Sequence, residues 1–224
     1  MTVFSKYSTI IFDLDGTLVD SVPDLALALN QALTRHDLAN VSNDQVRTWV
    51  GNGSAKLVAR AAQAVQPDLQ ENEVTQIHAT FLGCYADVLC EGSRLYEGVA
   101  ELLEWLSAQG KQLALLTNKP EQFLPELLEN LGLAHYFNMV IGGDSLAEKK
   151  PSPLPLLHIT EQLGARPESC LMVGDSRSDI VCAQQAKIDC VALLQGYHQG
   201  VNLEALAPTY LFADIRAFFN AYQG

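Results

Sequence analysis

Short runs rich in Ile, Val and Leu punctuate this chain: Thr9 to Phe12, Gln112 to Thr117, Met139 to Ile141, Cys170 to Val173 and Val191 to Leu194. None shows the strict apolar–polar alternation of a strand with one wet face. Runs of this kind read as parallel strands covered on both faces. Between them apolar residues recur at helical spacing. Val99, Leu102, Leu103 and Leu106 precede Gly110; Phe123, Leu127, Leu128 and Leu131 precede Gly132; Leu156, Leu157, Ile159 and Leu163 precede Gly164. Each pattern ends on the residue best able to stop a helix. Strand–helix alternation predicts an α/β fold with a doubly wound, Rossmann-like parallel sheet. Ligands of such sheets bind beyond the carboxyl ends of the strands.

One stretch breaks the alternation. From Val22 to Leu89 there are helical patterns and no convincing strand. Ser21 with Asp24 has the spacing of a capping box, with Pro23 in the first turn and Leu25, Leu29 and Leu33 on one face. Ser42 with Gln45 makes a second, leading to Val46, Trp49 and Val50 and stopping at Gly51. A third pattern runs through Leu57, Val58, Ala61, Ala62 and Val65 to Pro67, and a fourth from Val74 to Leu89. The expected organisation is therefore a core of residues 1–18 and 93–224, interrupted by a helical insert, 19–92. The short junctions near Val19 to Val22 and Cys90 to Tyr96 are the natural hinges.

At 224 residues and 48% hydrophobic content, the chain can fill a sizeable core. A net charge of −12 argues against nucleic acid as a partner, which needs a basic footprint. No apolar run reaches the length of a membrane span, and the N-terminus lacks a signal-peptide core, so a cytoplasmic protein is expected. The 5 cysteines are odd in number and include no Cys-x-x-Cys pair, which predicts reduced thiols rather than disulfides or a zinc site. The 5 histidines show no metal-ligand spacing.

The chemistry concentrates in Ile10-Ile11-Phe12-Asp13-Leu14-Asp15-Gly16-Thr17. Strand side chains repeat every two residues, so Asp13 and Asp15 leave the strand end on the same side. Two close carboxylates repel, and burying them is costly without compensation. A hard divalent cation such as Mg²⁺ supplies that compensation through oxygen ligands. On its own the run reads equally well as an Asp-x-Asp-Gly surface turn.

Three further segments decide between these readings. Leu113-Ala114-Leu115-Leu116-Thr117-Asn118 is an apolar run ending in Thr, and Lys150-Pro151-Ser152-Pro153 places a lysine before a proline-marked helix start. Leu171-Met172-Val173-Gly174-Asp175-Ser176-Arg177-Ser178-Asp179 is an apolar run ending in an acidic loop. With the first run, these resemble, in order, the four motifs of the haloacid dehalogenase superfamily, in its phosphatase and phosphomutase branch. The resemblance implies a Mg²⁺-dependent phosphomonoester hydrolase with a helical cap over the site. It makes Asp13 the nucleophile that forms an aspartyl-phosphate, and Asp15 the group that protonates the leaving oxygen and then activates water. Asp13, Asp15 (through its backbone carbonyl) and Asp175 would hold the metal. Thr117 and the backbone N–H of Asn118 would bind the phosphoryl group, and Lys150 would neutralise it. Lys149 is adjacent, but the family's lysine directly precedes the proline. Asp179 would either cap the following helix or hold water on the metal.

In the helical insert, Gly51-Asn52-Gly53 reads either as a helix stop with its loop or as a loop whose N–H groups face an anion. Arg47 and Lys56 flank it. The stretch Arg47 to Gly53, and Thr117-Asn118-Lys119-Pro120, resemble phosphoglycolate phosphatases. That resemblance implies a small anionic ester, 2-phosphoglycolate, with Gly51, Asn52 and Gly53 contacting its carboxylate. Alternatives are another small ester, such as a sugar phosphate or nucleoside monophosphate, or a phosphomutase. Dehalogenase chemistry is disfavoured by the presence of Asp15. A non-catalytic protein on this fold would be expected to have lost the nucleophile or the lysine. The sequence assigns no role to Lys119, Arg177 or His198, and it does not signal an oligomeric state. Two segments depart from the family pattern. Only Gly98 of Leu95-Tyr96-Glu97-Gly98 matches it, and Ala186-Lys187-Ile188-Asp189 lacks the usual glycine.

Overall fold

The computed structural model of the chain describes residues 3–223. Its sheet contains β1 (Thr9–Phe12), β4 (Gln112–Leu116), β5 (Met139–Ile141), β6 (Cys170–Gly174), β7 (Asp189–Leu193) and β8 (Tyr210–Phe212). They lie in the order β5-β4-β1-β6-β7-β8, with all pairings parallel. β1 is central, in register with β4 on one side (Ile11 opposite Ala114) and β6 on the other (Ile11 opposite Met172). The three strand ends that bear Asp13, Thr117 and Asp175 are therefore neighbours. This is the doubly wound parallel sheet expected from the apolar runs.

Alternate strand residues enter two different cores, which is why the runs carry no polar alternation. Ile10, Phe12, Leu113 and Val173 pack with α5 (Val99–Ala108), α6 (Leu124–Asn130) and α9 (Ile215–Gln223). Ile11, Ala114, Leu116 and Met172 pack on the other face with α7 (Leu154–Gln162) and α8 (Arg177–Ala186). The segment β8–α9 goes beyond the sequence reading. Tyr210-Leu211-Phe212 is a three-residue edge strand and only half-buried, too short to show a period.

Between β1 and α5 the chain forms α1 (Val22–Arg35), α2 (Asn43–Arg47), α3 (Ser54–Val65) and α4 (Glu71–Asp87), which share a core of their own. Phe123 and Tyr197 of the sheet domain join that core, so the helical block rests on the strand ends. Its two connections pair as a short antiparallel ladder, β2 (Val19–Asp20) with β3 (Arg94–Leu95). The Ser42–Gln45 capping box is present in full. Its helix closes at Arg47, and Trp49 and Val50 continue it only as turns before Gly51.

The Ser21–Asp24 box does not form. Ser21 takes a non-capping conformation, and its hydroxyl is buried without a hydrogen-bond partner. Asp24 instead accepts from the Gly92 and Ser93 N–H groups and the Ser93 hydroxyl, tying the start of α1 to the return connection. Three donors on a buried carboxylate outweigh a single capping bond.

Among the departures from the family pattern, Lys187 has a structural counterpart. It ends α8 in the left-handed region at φ 57, where glycine carries no Cβ penalty. Lys187→Gly is expected to stabilise the fold by about 0.5–1 kcal/mol. Urea denaturation checks this; a loss of stability would mean that the Lys187 side chain contributes more than its backbone strain costs.

Candidate active site

Lys150 stands at the centre of the strand ends. Its Nζ lies 2.8 Å from Asp13 Oδ1 and 2.7 Å from Asp179 Oδ1, and donates to the Leu116 carbonyl at 2.7 Å. Lys150 and Asp179 are essentially inaccessible, and Asp13 nearly so. Burial lowers the lysine's pKa, but Asp13 and Asp179 outweigh it and hold the ammonium above its ordinary value. Asp13 Oδ1 also accepts from the Leu14 N–H at 2.7 Å, so the carboxylate is oriented twice. Burial, opposed by Lys150 and reinforced by Asp179, pushes the Asp13 carboxyl up to about 7.

Asp175 leaves β6 on the other side of Asp13. Its Oδ1 accepts from the Thr17 hydroxyl at 2.7 Å and its Oδ2 from the Tyr197 N–H at 2.6 Å. Gly16, at φ 88, packs so closely on this carboxylate that a Cβ would collide with it. Burial, then Asp13 and Asp179, push the Asp175 carboxyl well above its ordinary value. Asp179 takes the capping role: its Oδ2 accepts from the Ser176 N–H at 3.0 Å and hydroxyl at 2.6 Å, closing the first turn of α8. Its other oxygen is the partner of Lys150.

One carboxylate oxygen from each of Asp13, Asp175 and Asp179 falls within 4.8 Å of the others, and all three residues are buried. Three acids face one ammonium. Burial first, and then the neighbouring acids, raise the pKa values of Asp13 and Asp175, as expected where buried carboxylates outnumber the cations. A hard divalent cation held by oxygen ligands fits the shortage, and Mg²⁺ is such an ion. The Asp15 side chain lies outside this group.

Asp15 points instead at Lys119, whose Nζ lies 3.0 and 3.1 Å from its two carboxylate oxygens. Lys119 is buried, and its ammonium sits 4.8 Å from the centre of the Tyr85 ring, which descends from α4. Burial lowers this lysine's pKa; Asp15 and Tyr85 outweigh it and raise it. The Lys119 N–H donates to the Thr117 hydroxyl at 3.2 Å, folding the loop after β4 tightly enough to turn the lysine inward. Sequence reasoning left Lys119 without a role, since a lysine beyond a strand end is ordinarily solvated.

Asp13, Asp15, Thr117 and Lys119 form the floor of a cavity of about 40 Å³. Gly53, Leu57, Phe81 and Tyr85 of the helical block form its roof. Gly51 and Asn118 also line it, and they are joined by a bond from Asn118 Nδ2 to the Gly51 carbonyl at 3.1 Å. The same amide group donates to the Lys150 carbonyl at 3.1 Å.

Other residues singled out in the sequence lie elsewhere. Asn52 does not line the cavity: its Nδ2 donates to Ser178 at 3.1 Å, and its Oδ1 accepts from Arg60 at 2.6 Å and Gln199 at 3.0 Å. Gln199 also donates to the Val50 carbonyl. Arg47 reaches Asp20 at 3.3 Å and lies over the Tyr197 ring, while Lys56 is exposed. Neither lines the cavity, and Arg177 is exposed. The 5 free thiols form no disulfide, and four of them are buried. No helix among the described residues is long and apolar enough to cross a membrane.

These strand ends and their loops define a haloacid dehalogenase-like hydrolase, and the chain belongs to that family: its sequence profile matches residues 10–193. Within the family the chain is a phosphatase, as its relatives indicate. It is 43% identical over 206 residues to the phosphoglycolate phosphatase of Colwellia psychrerythraea, covering 91% of each chain. It is 42% identical over 212 residues to that of Psychrobacter arcticus, covering 93% of this chain and 92% of the other. A crystal structure of a predicted phosphoglycolate phosphatase from Haemophilus somnus superposes with a TM-score of 0.92 at 39% identity. That match covers 96% of this chain and 98% of the other.

Removing the shared cation should strand two buried carboxylates. Lys150→Met is expected to cost about 3–5 kcal/mol of stability, measured by denaturant unfolding in metal-free buffer. A loss below about 1 kcal/mol would mean that the ion-pair cluster does not hold the strand ends together.

Proposed function

We propose that the chain hydrolyses small phosphate monoesters, 2-phosphoglycolate foremost, through an aspartyl-phosphate on Asp13. The observation that carries this reading is the shared cavity. Two carboxylates, each paired with its own buried lysine, open onto one small space of about 40 Å³. On this measure a water needs about 10–15 Å³, so the closed site suits a leaving group of only a few atoms.

The reading assigns each group a task. The Asp13 carboxylate, oriented by Lys150 and the Leu14 N–H, attacks phosphorus in line. The ester bond breaks as Asp15 gives its proton to the departing oxygen. Asp15 then takes a proton from water, and that water attacks the aspartyl-phosphate, releasing phosphate and restoring Asp13. Thr117 and the Asn118 N–H hold phosphoryl oxygens, while Lys150 offsets their charge. Asp13, Asp175 and the Asp15 carbonyl would hold Mg²⁺, with Asp179 behind them; its oxygens already receive Lys150 and Ser176. When bound, the ion supplies positive charge that offsets the phosphoryl oxygens.

The helical block acts as a cap. The Asn118–Gly51 and Asn52–Ser178 bonds fasten it over the site and exclude bulk water. Asn52 thus serves closure, while Gly51 and Gly53 bring backbone to the substrate. The substrate resemblance of the close relatives supports phosphoglycolate over larger esters. Free thiols suit a reducing, cytoplasmic setting.

The test is a panel of phosphate esters scored by kcat/KM, with Mg²⁺ and with EDTA. Phosphoglycolate should lead, EDTA should abolish turnover, and Ca²⁺, with its longer and more numerous bonds, should inhibit. A sugar phosphate or nucleoside monophosphate leading the panel would overturn the substrate assignment. Asp13→Asn should lower kcat by at least about 10³-fold with the fold intact. Asp175→Ala should raise the Mg²⁺ concentration required at least about tenfold; an unchanged requirement would remove Asp175 from the metal site.

A further inference from the structure

Resting on the phosphoglycolate reading, we infer that Lys119 receives the second anionic group of the substrate, its carboxylate, and so sets the preference for acid-bearing esters. A carboxylate entering a small, largely apolar cavity needs a charged donor, because an unpaired buried anion is strongly penalised. The cavity lining supplies one cation. Lys150 lies beneath Asp13, with Asp13, Asp179 and the Leu116 carbonyl around its ammonium. Arg47 is spent on Asp20, Lys56 is exposed, and Lys149 comes up against Gly53 without lining the space.

Lys119 is placed to serve a ligand as well as Asp15. Its ammonium carries three protons, and the Asp15 carboxylate accounts for two contacts, at 3.0 and 3.1 Å. The Tyr85 ring lies 4.8 Å from the ammonium, and Lys119 and Tyr85 both line the cavity. A carboxylate on the group departing from phosphorus would therefore meet Lys119 beside Asp15, the residue that protonates the ester oxygen. Asp13, Asp15, Thr117 and Lys119 all line the same cavity, so both functions open onto one space. Because Lys119 follows Thr117 and Asn118 in the same loop, phosphate and carboxylate would be read by a single rigid segment. The helical block would contribute the roof that keeps water away.

The test compares phosphoglycolate with ethyl phosphate, which has a leaving group of similar length but no carboxylate. Both are measured with the wild type, Lys119→Met, Lys119→Gln and the control Lys149→Met, after each variant's folding is checked by circular dichroism and thermal unfolding. Losing one charge-assisted contact should lower the phosphoglycolate-to-ethyl-phosphate ratio of kcat/KM by about ten- to a hundredfold. The drop should appear in both Lys119 variants, with KM for phosphoglycolate rising, and not in Lys149→Met. Lys119→Gln keeps a polar, uncharged side chain, so it decides the matter if the Met variant fails to fold. Equal losses on both esters would overturn the proposal and leave Lys119 as a partner of Asp15 alone. A ratio that falls only in Lys149→Met would move the site to Lys149. If the wild type itself shows no preference for phosphoglycolate, the substrate reading fails, and the Lys119 assignment fails with it.

Discussion

The buried ammonium of Lys150 is the interaction on which the strand ends depend. It touches the acid after β1, the acid that caps α8, and the last carbonyl of β4, so one side chain fastens three neighbouring strand exits. Bringing acids together at the carboxyl end of a parallel sheet is electrostatically unfavourable. One lysine reduces that cost without eliminating it, which leaves Asp13 and Asp175 with raised pKa values. The remaining deficit of positive charge is a request for a cation. The folding problem at this end of the sheet and the proposed chemistry therefore share one cause.

A second pair repeats the device one step outward. Lys119 neutralises Asp15 as Lys150 neutralises Asp13, but it does so at the boundary with the helical block, against Tyr85. The inner pair sits under the place where phosphorus would react. The outer pair sits where the departing group would lie. In the proposed account each carboxylate is held by its own lysine, the nucleophile by Lys150 and the proton donor by Lys119. Asn52, Gln199 and Asn118 fasten the block through amide, hydroxyl and backbone groups, leaving Lys119 to the cavity.

Much of this was legible in the chain. Parallel strands show as apolar runs because both sheet faces are covered; Asp13, Thr117 and Asp175 stand at the ends of those runs, and Lys150 is marked by the proline that follows it and by the family resemblance. What was hidden depends on long-range partners. Asp24 has the spacing of a capping residue, yet Ser93 and Gly92, far along the chain, claim its carboxylate. Lys119 looks like a surface lysine until Asp15 and Tyr85 close around it. Asn52 sits between glycines that line the cavity, but Ser178, Arg60 and Gln199 take its amide. In each case local pattern named the residue type correctly, and a tertiary contact chose its task. The β8–α9 segment was missed for a simpler reason: three half-buried residues cannot display a period.

The central claim is that Asp13 becomes phosphorylated during turnover. Single-turnover hydrolysis of phosphoglycolate in ¹⁸O-water, with enzyme in excess, tells only which atom the water attacks. Water that opens an aspartyl-phosphate by attacking phosphorus places its label in the released phosphate, and Asp13 keeps its own oxygens. Attack of water on the carboxyl carbon would instead label Asp13. The decisive reading is therefore the intermediate itself: rapid acid quench with ³²P-labelled substrate, followed by borohydride reduction and peptide mass spectrometry. The account predicts transient acid-stable ³²P on the protein and reduction of Asp13 to homoserine. Turnover at the full rate with no phosphoprotein, and with no reduction at Asp13 at any quench time, would contradict it.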